Sequence, residues 1–235
     1  MSAGAGAGAG AAIVTGAGKG IGRAVALAFA RRGLDVALWN RTFSEAEAVA
    51  REVRAIGPRA LPLSCDVSRD EDVRRATDET LRVLATPRVV VNNAGVVHRA
   101  TIEETSEGDW DHVLDVNLKG PFLVVRALLP ALRAARVGRI VNIASISATI
   151  GSPRQASYAA SKWGLVGFTK SLAEELRGSG VQAVVVNPGS VDTDMLVGSG
   201  FAPAMSADDV ARLVTWAALD APDAIHGASL DAFGS

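Results

Sequence analysis

Short apolar runs recur along the chain, and most are followed by a longer stretch in which apolar residues return every three or four positions. AAIVT (11–15), DVALW (35–39), ALPLS (60–64), RVVVN (88–92), GRIVNIA (138–144), VQAVVVN (181–187) and GASLDAF (227–233) read as seven strands. These runs are apolar at consecutive positions, which predicts a sheet covered on both faces, built from parallel strands joined by crossover helices. Between the first two, GRAVALAFARR (22–32) has apolar residues at helical spacing and ends at Gly33, a predicted C-cap. Ser106 with Asp109 and Ser206 with Asp209 predict N-terminal capping boxes with Asp in place of the preferred Glu. No interior Pro/Gly/Ser linker divides two cores and no repeat is visible. The expectation is one doubly wound α/β domain with a seven-stranded parallel sheet over 11–235, preceded by a disordered Ala/Gly tail at 1–10.

Composition narrows the partners. Of 235 residues, 49% are hydrophobic and 21% charged, an ordinary globular balance with enough apolar surface for a large core. The formal net charge of -1 gives no basic field to gather nucleic acid or an anionic membrane, so a small-molecule partner is expected. Cys65 is the single cysteine and cannot form an internal disulfide, which fits a reducing compartment and a buried thiol. The start, MSAGAGAGAGAA, has neither a basic region nor the apolar run of a secretory signal. No apolar stretch reaches the ~18 residues of a membrane span. A cytoplasmic location follows as an expectation. His98, His112 and His226 lack the spacing of metal ligands and are expected in surface or capping roles.

Directly after the first predicted strand stands TGAGKGIG (15–22), with a helix opening at its end. Glycines at 16, 20 and 22 allow a tight turn and close approach to a pyrophosphate, whose charge suits the free N–H groups of the helix start. The spacing is G-x-x-x-G-x-G, not the G-x-G-x-x-G of the usual dinucleotide fingerprint. Some 20 residues beyond the loop, where an NAD binder places an acid on the ribose, stand Asn40 and Arg41. Arg41, with Lys19 in the loop and no carboxylate beside them, predicts a 2'-phosphate and hence NADP(H).

The only tyrosine lies in ASYAASKWG (156–164), four residues before Lys162. On a helix the two share a face, and a nearby ammonium is expected to lower the phenol toward a working general acid or base. Ser145 ends the strand GRIVNIA and is expected to face the crevice at the carboxyl ends of the strands; Ser147 is a competing candidate. In DVNLKGPF (115–122), Pro121 removes the helical partner of the Asn117 carbonyl, predicting a kink and a carbonyl free to hold a proton-relay water near Lys162.

Taken together, TGAGKGIG, CDV (65–67), NNAG (92–95), Asn117, Ser145, YAASK (158–162) and NPGSVDT (187–193) resemble the short-chain dehydrogenase/reductase family over nearly all of 11–234. Within that family the stretch RIVNIASISATIGSPRQASYAASKWGLVGFTKSLAEEL is particularly similar to 3-oxoacyl-acyl-carrier-protein reductases. The resemblance implies a Rossmann-type fold and a catalytic set of Asn117, Ser145, Tyr158 and Lys162, with Ser145 rather than Ser147 matching the family's spacing. It implies a cofactor held by Gly16, Gly18, Lys19, Gly20, Ile21, Gly22, Asn40 and Arg41. Asp66 and Val67 would flank the adenine, Asn92, Ala94 and Gly95 the ribose side, and Pro188, Gly189, Val191 and Thr193 the nicotinamide, with Tyr158 and Lys162 beside it.

The activity so implied is NADPH-dependent reduction of a ketone or 3-oxoacyl thioester, free or on acyl carrier protein, to a secondary alcohol. Alternatives are an alcohol, sugar or hydroxysteroid dehydrogenase and a non-catalytic NADP-binding sensor. By resemblance, helices around 108–135 and 157–177 pair subunits into a homodimer or homotetramer, and Trp163 is expected in a helix interface. His98, just after NNAG, is expected at the substrate crevice. Two departures stand out: MLVGSGFAPAM (195–205) is short where many relatives carry a longer lid, and Arg88 replaces a common acid.

Overall fold

The computed structural model describes residues 10–234; apart from Gly10, the tail expected at 1–10 lies outside the described residues. Seven strands form one parallel sheet: β1 (Ala11–Thr15), β2 (Asp35–Asn40), β3 (Ala60–Ser64), β4 (Val89–Asn92), β5 (Gly138–Ile143), β6 (Val181–Pro188) and β7 (Ser229–Ala232). Their order is β3-β2-β1-β4-β5-β6-β7, so the winding direction reverses between β1 and β4. A crevice opens at such a reversal, outside the carboxyl ends of the strands.

Alternation along each strand splits the apolar residues between two layers. Ala12, Val14, Val36, Leu38, Val91 and Val141 pack on one face against α1 (Gly20–Arg31), α2 (Phe43–Ile56) and α7 (Ala207–Thr215). Ala11, Ile13, Ala37, Trp39, Val90 and Ile140 pack on the other against α3 (Asp70–Leu84), α5 (Gly120–Ala135) and α6 (Ala156–Glu175). Both faces being dry explains the unbroken apolar runs. Trp39 is fully buried, and its Nε1–H donates to Thr80 Oγ1 at 3.1 Å, so the indole keeps a partner in the core. Cys65, just beyond β3, is buried too, and desolvation pushes its thiol up to about 12.

The helix ends follow local chemistry. Gly33 takes φ +80° one residue past the C-cap Arg32, and its N–H donates to the Ala30 carbonyl. Ser206 and Asp209 form a complete capping box on α7. At α4 (Glu107–Leu114) Ser106 Oγ accepts from the Asp109 N–H.

The kink expected from Pro121 takes another form. A π turn over Asp115–Lys119 lies between α4 and α5, and Gly120 N–H reaches back to the Asp115 carbonyl. Pro121 thus falls in the first turn of α5, where its missing N–H costs little. Trp163 lies on the outer side of α6 at 55% exposure. Among the described residues no helix is long and apolar enough to cross a membrane.

Candidate active site

The loops leaving β1, β4, β5 and β6 converge at the winding reversal. After β1, Gly16 and Gly20 adopt φ of +62° and +53°, which L side chains avoid. A Cβ on Gly16 would lie 2.8 Å from Ala94 Cα, and one on Gly22 would overlap the Gly16 carbonyl oxygen. The loop is therefore packed against its own helix and against the β4 loop. Lys19, the N-cap of α1, contributes no side-chain cap, and no acid stands in the first turn. The leading N–H groups of α1 are thus left to an anion, which is what a dinucleotide's pyrophosphate requires.

Asn93, which the sequence reading passed over, ties this loop down. Its Nδ2 donates to the carbonyls of Thr15 and Gly16, and its own N–H and that of Ala94 donate to Thr15 Oγ1. The neighbouring Asn92 points elsewhere: buried, it donates to Asn142 Oδ1, and Asn142 donates to Thr169 of α6, a polar chain across the sheet. That Asn93 and not Asn92 holds the loop follows from strand alternation, since adjacent side chains leave opposite faces.

At the end of β2, Asn40 Oδ1 accepts from the Gly18 N–H, and its Nδ2 donates to Glu45 Oε2 at 2.8 Å. Lys19 is paired with Asp194 at 2.9 Å. The expectation of no carboxylate beside these groups is therefore corrected: Glu45 is five residues on and Asp194 arrives from a distant loop, neither adjacent in sequence. Both partners of the Lys19–Asp194 pair are well exposed, so it contributes little to stability. Arg41 is exposed, and among the described residues no ion pair engages its guanidinium. Asp66 accepts from Ser68 N–H and Oγ, which shapes the turn into α3, while Val67 packs on Gly120.

α6 supplies the chemistry. Its buried face carries Tyr158, Ser161, Lys162, Leu165, Thr169 and Leu172, a stripe at three- and four-residue spacing that sets phenol and amine side by side. Lys162 Nζ donates to the Ile143 carbonyl at the end of β5 at 2.9 Å and lies 5.6 Å from the centre of the Tyr158 ring. Ser145 caps a 3-10 turn (Ile146–Ala148) with Oγ accepting from the Ser147 N–H, and its hydroxyl acts on the Tyr158 phenol in the direction that favours the phenolate. Asn117 is fully buried: Oδ1 accepts from Val96 N–H at 2.8 Å, and Nδ2 donates to Val96 O and to Ser161 Oγ. Ser161 in turn donates to the Tyr158 carbonyl, so Asn117 locks the β4 loop to α6. Gly95 sits where a Cβ would be 3.3 Å from Asn117 Oδ1 and 3.6 Å from Lys162 Nζ.

The electrostatics differ from the expected lowering of the phenol by Lys162. Burial raises the Tyr158 pKa above 10, opposed by the Ser145 hydrogen bond and by the positive charge of Arg99. The Lys162 ammonium lies toward the ring rather than at the oxygen, and desolvation pushes it down to about 8. Arg99 was not foreseen; its Nη2 donates to the Met195 carbonyl at 2.6 Å, joining the β4 loop to the segment after β6.

That segment borders the glycine loop. Gly189 N–H donates to Ala232 O beyond Pro188, Val191 bridges Met205, and a Cβ on Gly20 would touch Thr193 at 3.2 Å. The 195–205 stretch is thus pinned at its base, with Gly198 and Gly200 at positive φ beyond. His226 is structural, accepting from Ala183 N–H at Nδ1. Among the described residues no cluster of His, Cys, Asp or Glu could hold a metal ion.

Comparison with known proteins gives the family. The family model described as short chain dehydrogenase matches residues 10–200. The 3-oxoacyl-acyl-carrier-protein reductase FabG of Staphylococcus epidermidis is 37% identical over 174 residues, 74% of this chain and 71% of that one. The 3-oxoacyl-acyl-carrier-protein reductase of Synechocystis is 34% identical over 206 residues, covering 87% and 81%. A crystal structure of a short-chain type dehydrogenase/reductase from Mycobacterium marinum superposes with a TM-score of 0.92 at 27% identity, covering 97% of this chain and 95% of that one. Levodione reductase gives 0.90 at 25% identity, covering 96% of each chain.

Proposed function

We propose that this chain, which belongs to the short-chain dehydrogenase family, is an NADPH-dependent ketoreductase that converts a ketone or 3-oxoacyl thioester to a secondary alcohol. The family and its reductase relatives make it a short-chain oxidoreductase using a nicotinamide cofactor; the direction, the choice of NADP(H) and the residue roles are our assignment. The observation that carries it is the buried face of α6, which sets Tyr158 beside Lys162, whose Nζ donates to the Ile143 carbonyl at the end of β5, two residues before Ser145.

When bound, the nicotinamide supplies a hydride to the carbonyl carbon. Ser145 orients the ketone oxygen by donating a hydrogen bond, and Tyr158 gives that oxygen its proton. A phenol raised by burial stays protonated at neutral pH, the form an acid needs, while Ser145 and Arg99 stabilise the phenolate left behind. Lys162, fixed by the Ile143 carbonyl, would hold the nicotinamide ribose, and the main-chain carbonyl of Asn117 would hold a relay water, its side chain being occupied. Gly16, Gly18, Gly20, Ile21 and Gly22 would cradle the pyrophosphate, Asp66 and Val67 the adenine, and Ala94 and Gly95 the ribose side. Asn92 would act from the end of β4, and Pro188, Gly189, Val191 and Thr193 would close on the nicotinamide.

NADP(H) is favoured over NAD(H) by the amide of Asn40 where an NAD binder places an acid, and by the exposed guanidinium of Arg41 beside it. The exposed Phe122 on α5 and Trp163 on α6 favour pairing of subunits through these helices.

Turnover tests the reading. Wild-type protein is expected to oxidise NADPH with an activated ketone, and Tyr158→Phe to lose at least ~100-fold in kcat/KM. Equal rates in the two proteins reject Tyr158 as the acid. Asn40→Asp with Arg41→Leu is expected to move the NADPH/NADH ratio of kcat/KM toward NADH by at least ~10-fold, about one charge-assisted hydrogen bond; an unchanged ratio removes the cofactor assignment.

A further inference from the structure

We infer that Arg99 is a substrate-binding residue whose guanidinium takes a second oxygen of the substrate, two carbons from the reacting ketone, as in a 3-oxoacyl ester or thioester. This rests on the ketoreductase reading and narrows its substrate.

The segment from Val96 to Thr101 is held from three sides. Asn117 takes both the N–H and the carbonyl of Val96. The Ala100 N–H donates to the Arg154 carbonyl at 3.0 Å, four residues before Tyr158. Arg99 Nη2 donates to the Met195 carbonyl at 2.6 Å. The Arg99 side chain therefore reaches from the β4 loop to the segment after β6, bridging two of the loops that converge at the carboxyl ends of the strands. One bond to a fixed carbonyl orients a planar, rigid fork of five donors.

The rest of that fork has unused capacity. Arg99 Nε is buried and has no acceptor among the described residues, and the same is true of His98 Nε2 and Thr101 Oγ1 in the same segment. Native chains seldom leave a buried donor of a cation unpaired, because desolvation is then uncompensated. His98 and Arg99, adjacent in the β4 loop, thus each keep a polar side-chain atom that the chain itself leaves unpaired. The Ala100 bond to Arg154 ties this stretch to the chain that leads directly into α6 and Tyr158. Tyr158 and Ser145 already serve the ketone oxygen. A further cationic donor has an acceptor to meet only when the substrate carries another oxygen near the first, which a 3-oxoacyl group does and a simple ketone does not.

The experiment compares ethyl 3-oxobutanoate with trifluoroacetophenone, an activated ketone that has no second oxygen, as NADPH-dependent substrates of wild type, Arg99→Ala and Arg99→Lys. The ester-to-ketone ratio of kcat/KM is expected to fall about 10- to 100-fold in Arg99→Ala, the loss of one hydrogen bond from a charged donor. Any effect of Arg99 on the acidity of Tyr158 is common to both substrates and cancels in the ratio. Arg99→Lys keeps the charge without the fork; its ratio is expected to fall too, and it supplies the comparison if the alanine variant does not fold. A ratio within about threefold of wild type in the folded variants overturns the inference. Wild-type protein that reduces neither substrate instead defeats the ketoreductase reading.

Discussion

Replacing Lys162 by methionine is expected to raise stability at neutral pH while abolishing turnover. Lys162 is 3% exposed, and among the described residues no ion pair engages its ammonium, whose hydrogen bond goes to the Ile143 carbonyl. Burial lowers its pKa from 10.5 to about 8, a gap corresponding to about 3 kcal/mol of penalty on the charged form. Methionine fills a similar volume without charge, but leaves the Ile143 carbonyl without that donor, a loss of about 1 kcal/mol. The variant should thus be more stable by about 2 kcal/mol at pH 7. The sign depends on pH. Below 8 the lysine is charged in both folded and unfolded chains and the penalty is complete; between 8 and 10.5 the folded lysine sheds its proton first and the penalty fades as pH rises. Above 10.5 only the lost hydrogen bond remains, and the variant should be less stable by about 1 kcal/mol. Urea unfolding of both proteins at pH 7 and near 10.5 measures this crossing. Equal destabilisation at both pH values would refute the reasoning, because it would mean that the ammonium is not buried at a cost.

Other perturbations test the packing around the site. Gly22→Ala drives a methyl into the Gly16 carbonyl, and the loop must open; NADPH affinity, followed by nucleotide fluorescence, should weaken at least ~10-fold, the scale of a small overpacking strain. Thr80→Val keeps the shape of the core but strands the Trp39 indole N–H, and urea unfolding should show a loss of about 1–3 kcal/mol; no loss would mean that the indole finds another acceptor.

Much of this architecture is legible because parallel strands buried on both faces cannot hide their composition. The apolar run ALPLS coincides with the edge strand β3, and RVVVN exceeds β4 by Arg88 alone. The Tyr158–Lys162 face of α6 follows from helical spacing. Contacts between distant loops escaped the reading: Lys19 with Asp194 spans 175 positions and Arg99 with Met195 spans 96. No local pattern encodes those pairings, since loop approach is set by the sheet beneath. The acidity of Tyr158 was misjudged for a related reason, because desolvation sums over everything packed on the ring whereas a four-residue spacing names one neighbour. The π turn before Pro121 was hidden because its residues have ordinary helical composition.

The buried Cys65 has a practical consequence. Thiols react as thiolates, and one pushed up to about 12 inside the core is silent toward maleimides at neutral pH. A cysteine introduced at the exposed Val197 would then be the single labelling position of the molecule. A fluorophore there would report directly on the 195–205 segment as ligands enter, in a protein whose native sequence needs no thiol stripped out beforehand.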